Sequence, residues 1–196
     1  MLADSLKQLL ANSYSFVIKA QQFHWNVEGP DFPQYHKFFG KLYTEVYNSL
    51  DKTAEYIRTL DAYTPGVIKA QQFHWNVEGP DFPQYHKFFG KLYTEVYNSL
   101  DKTAEYIRTL DAYTPGSMER YSELSDIKGQ VMIPRAELMF VELLSDNEKM
   151  MNCLNDCILA AKQENNYGIE NYIAERLDAH AKHGWMMRSI LKKERA

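Results

Sequence analysis

Apolar residues recur along this chain at helical intervals and never with the alternation of a strand. Leu2, Leu6, Leu9, Ser13, Phe16, Ala20, Phe23 and Val27 follow steps of four and three. That spacing lays one stripe along a first helix of about 40 Å at 1.5 Å per residue. Gly29-Pro30 ends it. Asp31 then predicts a second helix start, with Gln34 three residues on as its capping partner. Phe39, Leu42, Val46, Leu50, Ile57 and Leu60 give that helix an apolar side as far as Pro65-Gly66. The two form a long hairpin with a tight corner.

The same hairpin is then written again. Residues Val17 to Gly66 recur without a change as Val67 to Gly116, whereas the repeats of ordinary solenoids diverge. The junction falls at Thr64-Pro65-Gly66, a turn signal where a chain tolerates insertion. Removing one copy leaves roughly 150 residues, a common single-domain size. The second copy repeats the corner and the second helix in full, but of the first helix it keeps only Val67 to Glu78. That piece is about 18 Å long, which is marginal unless packed.

Downstream, Met118 to Leu124 reads as a short amphipathic piece within a crossover over 117–133 that contains Gly129. A third long helix is predicted from about Arg135 to Gln163, with Leu138, Val141, Leu144, Met151, Leu154 and Ile158 inward. A fourth runs from Ile169 to about Lys193, so the last two helices occupy 134–193. The expectation is an all-α four-helix bundle in one domain, 1–196. It has a long crossover between the second and third principal helices and an extra duplicated hairpin. Two arrangements are open for the surplus: a hairpin extruded at the surface, exposing Phe89, Leu92 and Val96, or two hairpins paired within one chain. The truncated Val67 to Glu78 helix favours extrusion.

Charge excludes some partners. Lys and Arg number 22 against 26 Asp and Glu, a net charge of −4, so no global basic field exists to hold nucleic acid or an anionic membrane. No apolar run approaches the roughly 18 residues that span a bilayer, and Met1-Leu2-Ala3-Asp4 is no charged leader. A cytoplasmic location without a membrane is expected. Cys153 and Cys157, four apart on a helix, are poorly placed for a disulfide and read as packing residues in a reducing compartment.

Candidate chemistry gathers at the corner. His24 lies one turn before the end of its helix and His36 opens the next, so both rings can lie at one end of the hairpin. Along the second helix His36, Tyr43, Tyr47, Asp51 and Glu55 share a broad face. Two carboxylates one turn apart on a mostly buried helix are costly unless a cation compensates. An imidazole and carboxylate set suits iron, zinc or manganese rather than calcium. Read alone, His24 fits a hydrogen-bonded interface histidine better than a ligand, and Asp51 with Glu55 equally fits a solvated face beside Lys52 and Arg58.

At this corner the sequence resembles the Dps family, ferritin-like proteins that protect DNA during starvation. The matching string is His24-Trp25-Asn26, Gly29, Phe32, His36 and Asp51-Lys52-Thr53-Ala54-Glu55; Glu175 to Met186 is similar to the family's last helix. The resemblance implies a hollow dodecamer with a ferroxidase centre at each two-fold interface. His24 and His36 would come from one subunit, Asp51 and Glu55 from its neighbour, and Trp25 would flank the site. The implied activity oxidises Fe(II), with hydrogen peroxide preferred over oxygen, and stores ferric mineral. Zinc or manganese could substitute for iron.

The second copy supplies a matching set: His74, His86, Asp101 and Glu105, flanked by Trp75. One departure stands out. Where the family usually has an acidic ligand one turn after the second histidine, this chain has Gly40, and Gly90 in the second copy. The alternative to a ferroxidase is therefore a non-catalytic helical shell or interaction protein. His180 and His183 lack the Glu-x-x-His pattern of classical ferritin di-iron bundles and read as structural. Direct DNA binding is expected to be weak or absent, because the only basic tail is Lys192-Lys193-Glu194-Arg195.

Overall fold

The computed structural model describes residues 2–59, 69–115 and 118–192; the side chains of residues 2–8 and 51–59 are among those outside that description. Among the described residues are α1 (Leu2–Asn26), α2 (Phe32–Thr59), α3 (Lys69–Asn76), α4 (Phe82–Thr109), α5 (Met118–Leu124), α6 (Ala136–Gln163) and α7 (Tyr167–Ile190), and no strand. This is the all-α order that the apolar spacing predicts. None of these helices is long and apolar enough to cross a membrane.

In each copy the hairpin corner turns on one glycine. Gly29 has φ +108° and Gly79 φ +112°, a region that L side chains rarely adopt. The carbonyl of Gly29 accepts from Phe32 N at 3.1 Å and that of Gly79 from Phe82 N at 3.0 Å, which starts the following helix. α4 does not run to Pro115-Gly116. It stops at Thr109, and Asp111 turns the chain at φ 60°. Copy one's stop at Pro65-Gly66 lies outside the described residues.

The chain forms two compact units: Met1–Asn76 with His86–Met132, and Val77–Tyr85 with Ile133–Ala196. In the first unit the two copies pair, which corrects the expectation of an extruded hairpin. Tyr47 stacks on Tyr97 with ring centroids 3.6 Å apart and planes 5° from parallel. These two are the same residue of the two copies, so they mark a local two-fold relation between α2 and α4. From α1, Gln21 Nε2 donates to the Tyr97 hydroxyl at 3.2 Å and Asn26 Nδ2 to Thr114 Oγ1 at 2.7 Å. Glu28 pairs with Arg108. Phe89 and Leu92, which extrusion would bare, are buried, and Val96 is half-buried.

The same pairing rotates the buried side of α1. Of the predicted stripe, Ala20 is buried, but Leu9, Phe16 and Phe23 are exposed; Leu2 and Leu6 fall outside the described side chains. Tyr14, Val17, Gln21, His24 and Trp25 are buried instead. Several of them are polar and satisfied by partners on α4, which a count of apolar residues cannot register.

In the second unit α6 and α7 form a hairpin whose inward side also differs from expectation. Leu154 is buried and Leu144, Met151 and Ile158 half-buried, whereas Leu138 and Val141 are exposed. Met139, Phe140, Leu143, Asp146 and Asn147 take the interior. Asn147 explains the rotation. Its Nδ2 donates to the His180 carbonyl at 3.0 Å, and its Oδ1 accepts from His180 Nδ1 at 2.8 Å, so one amide binds both ends of the histidine. Cys153 and Cys157, expected as packing residues, are exposed on this helix. Asn166 caps α7 by accepting from Ile169 N at 3.1 Å.

The corner makes a direct prediction. A Cβ at Gly79 would meet nothing within 4 Å, so Gly79→Ala introduces strain without a clash, about 1–2 kcal/mol. Calorimetry should show the melting midpoint falling by several degrees for a protein of this size.

Candidate functional site

The corner of the first hairpin locks two imidazoles together. His24 Nδ1 lies 2.6 Å from the His36 carbonyl, and His36 Nδ1 lies 2.9 Å from the His24 carbonyl. A carbonyl can only accept, so each Nδ1 must carry the hydrogen and donate it. Each neutral ring is thereby held in the tautomer whose lone pair sits on Nε2, the form a metal ligand needs. The rings stack at 3.7 Å between centroids. The second corner repeats the lock at 2.8 Å for both contacts, with His74 and His86 stacked at 3.9 Å.

Across from the first pair stands a carboxylate from the other copy. His24 Nε2 is 3.4 Å from Asp101 Oδ1, and Trp25 Nε1 donates to the same oxygen at 2.7 Å. A lone pair aimed at a carboxylate is repulsive unless a cation or a proton lies between them. Burial pulls the His24 imidazole down, yet its bonds to Asp101 and to the His36 carbonyl outweigh this and leave its pKa raised. His24, with Trp25 and Tyr43, holds Asp101 below the usual carboxylate range against the opposing effect of burial. Burial, then the charge of Asp101, pushes the Tyr43 phenol up to about 12, so it remains a neutral donor beside the His24 ring, 5.4 Å away between centroids.

Gly40 has a steric reason in this geometry. A Cβ there would lie 3.1 Å from His24 Cε1, and at Gly90 2.9 Å from His74 Cε1. The imidazole leans on bare helix backbone, and the space an acidic side chain would enter is taken by the ring. Trp25 thus flanks His24 and Asp101. Glu105 is one turn beyond Asp101 and exposed, and its charge reaches His24. The side chains of Asp51 and Glu55 lie outside the described residues, so the facing half around His74, His86 and the buried Trp75 is described only from its imidazole side. Among the described residues, no three His, Cys, Asp or Glu side chains converge closely enough to hold an ion.

Sequence reasoning pointed to the histidines, the carboxylates and Trp25. It missed the Asn26–Thr114, Gln21–Tyr97 and Glu28–Arg108 contacts that bring them together. No motif announces such contacts, since they depend on which helices meet. His180, tied at its ring and its carbonyl to Asn147, is a hydrogen-bonded core histidine and no part of this site.

The chain matches the Ferritin-like domain family twice, over residues 3–70 and 66–196. An uncharacterized low temperature-induced protein of Nostoc sp. is 29% identical over 189 residues, 95% of this chain and 78% of that protein. A DNA protection during starvation protein of Brevibacillus brevis is 37% identical over 60 residues, 31% of this chain and 40% of that one. The crystal structure of Dps from Staphylococcus aureus superposes with a TM-score of 0.62 at 23% identity, covering 92% of this chain and 95% of that one.

The Trp25 to Asp101 bond links the two copies with a charge-assisted hydrogen bond, worth about 2 kcal/mol when its donor is removed. Trp25→Phe keeps most of the ring's packing and deletes the donor. Denaturant unfolding should report a loss of that order, while circular dichroism of the folded protein stays unchanged.

Proposed function

Because the chain belongs to the ferritin-like domain family and has the Dps fold, we propose that it oxidises and sequesters iron at a centre assembled within a single chain. The observation that carries this reading is the approach of His24 Nε2 to Asp101 across the two copies, with both Nδ1 atoms of the histidine pair already committed to carbonyls. In this proposal His24 and His36 from copy one, with Asp101 and Glu105 from copy two, bind the ferrous substrate. His74, His86, Asp51 and Glu55 are the reciprocal set, and Trp25 and Trp75 flank the two.

Two ferrous ions each give one electron to a hydrogen peroxide molecule, whose O–O bond breaks. With two waters the products are two FeOOH units and four protons. Both electrons leave together, so no hydroxyl radical is released; oxygen is the slower alternative oxidant. Zinc and manganese fit the same imidazole and carboxylate donors and would compete. The protein contributes position and charge, and iron carries the electron transfer. Storage of the mineral requires a homo-oligomer. Protection of DNA in the cytoplasm would follow from removing iron and peroxide rather than from binding DNA, as the net charge of −4 suggests.

A second reading rests on Gly40 and Gly90, where the family usually carries an acidic ligand, and on the duplication: a non-catalytic helical shell or interaction protein. One experiment separates them. Anaerobic protein receives Fe(II), then peroxide, and ferric-oxo absorbance is followed. The iron reading expects a rate per chain that is independent of protein concentration and falls at least about 10-fold in a His24→Ala, His74→Ala double variant. Rates equal to iron in buffer for both proteins leave only the second reading.

Gly40 supplies a further test. Gly40→Glu adds the acidic group the family usually carries, but it drives a Cβ toward the His24 ring at 3.1 Å. Cobalt(II) titration should show weaker binding for this variant than for the natural chain.

A further inference from the structure

Tyr47 and Tyr97 are the same residue of two identical strings, and they stand face to face where the copies pair. Their ring centroids are 3.6 Å apart and their planes 5° from parallel. Aromatic pairs usually keep about 4.5–7 Å between centroids, offset or edge-on, so these two rings overlap almost without slip. Each ring carbon, including the two beside the phenol oxygen, therefore lies over the face of the other ring. Both side chains are half-buried. A small oxidant can reach their rims, while their inner faces see only each other.

The surroundings prepare Tyr97 for one-electron chemistry. Gln21 Nε2 donates to its hydroxyl oxygen at 3.2 Å, which fixes the ring and supplies a hydrogen bond to the oxygen of a phenoxyl radical. Burial, with the phenols of Tyr43 and Tyr14 and the charge of Asp101, pushes the Tyr97 phenol well above its ordinary value. It is therefore neutral at any pH the folded protein meets, and it gives up its proton only as it gives up an electron.

We propose that Tyr47 and Tyr97 are an oxidative cross-linking site, at which oxygen-centred radicals join the two copies through a dityrosine bond. Each of two hydroxyl radicals, the species released when unpaired ferrous iron meets peroxide, takes a hydrogen atom from one phenol and leaves as water. The resulting phenoxyl radicals carry part of their unpaired density on the ring carbons next to oxygen, in lobes perpendicular to the ring. A parallel stack points those lobes at each other. Pairing of the two electrons forms one carbon–carbon bond between the rings. The hydrogen on each bonded carbon then moves to that ring's oxygen and restores two phenols. Two radicals are consumed, two waters form, and the chain loses two hydrogens.

The chain has 14 tyrosines, and such radicals attack any that they reach. Position selects the pair that couples, because groups held in contact react as though at a concentration far above any that separate chains attain. The bond closes a loop between residues 47 and 97 and keeps the copies joined when the helices open.

The test uses the full, metal-free chain at high dilution, illuminated with a ruthenium tris-bipyridine complex and persulfate. This removes electrons from phenols one at a time, so the outcome does not depend on the iron reading. Expected are blue dityrosine fluorescence in chains that still run at single-chain mass on a denaturing gel, and a tryptic product of twice the mass of the repeated peptide, 42–52 and 92–102, less two hydrogens. Tyr97→Phe and Tyr47→Phe each keep a ring in the stack but should lose the single-chain dityrosine, with circular dichroism unchanged. Tyr14→Phe and Tyr43→Phe should retain it. Fluorescence that survives Tyr97→Phe, dityrosine found only in linked multimers, or tyrosine oxidation without dityrosine would overturn the proposal. Should the variants fail to fold, fragmentation of the doubled peptide from the natural chain decides instead. A link at Tyr47 and Tyr97 supports the site, and one at Tyr43 or Tyr93 counts against it.

Discussion

The structure of the first unit depends on one act of recognition, the pairing of a helical hairpin with its own duplicate. Tyr47 against Tyr97 sets the centre of that contact, and the bonds from Gln21 and Trp25 to α4 and from Asn26 to Thr114 just beyond it fix its register. Without the pairing, His24 would not meet the Asp101 carboxylate of the other copy. Covalent linkage helps, because two halves on one chain meet at an effective concentration of roughly millimolar whatever the dilution of the protein.

Within that frame the site rests on a backbone device. Each histidine of a pair donates to the carbonyl of the other, so the corner of the hairpin chooses the tautomer and the rotamer together. The glycine one turn after the second histidine belongs to the same device. It lets the first ring lie against the helix, and any side chain there competes with the ring for space. An apparent lost ligand is thus also the condition for the ring's position.

Much of this was legible before any coordinates. The steps of three and four located the helices, Gly29-Pro30 located the corner, and the His24 to Glu55 string indicated where chemistry would gather. What could not be read was orientation. α1 turns His24, Trp25 and Gln21 inward rather than Phe16 and Phe23, and α6 turns Asn147 inward rather than Leu138. In both cases a buried polar side chain finds a specific partner on another helix, and hydrophobic periodicity counts such a residue as outward. The choice between an extruded and a paired hairpin was hidden for a related reason: two identical strings have identical propensities, and only the helices they meet distinguish them.

The union of both halves in one polypeptide also changes what variation can do. In a symmetric homodimer every substitution strikes both equivalent centres at once, and neither can be spared. Here His24 answers to Asp101 while the reciprocal residues are encoded separately. One half is therefore free to diverge in sequence while its sister is kept as it was.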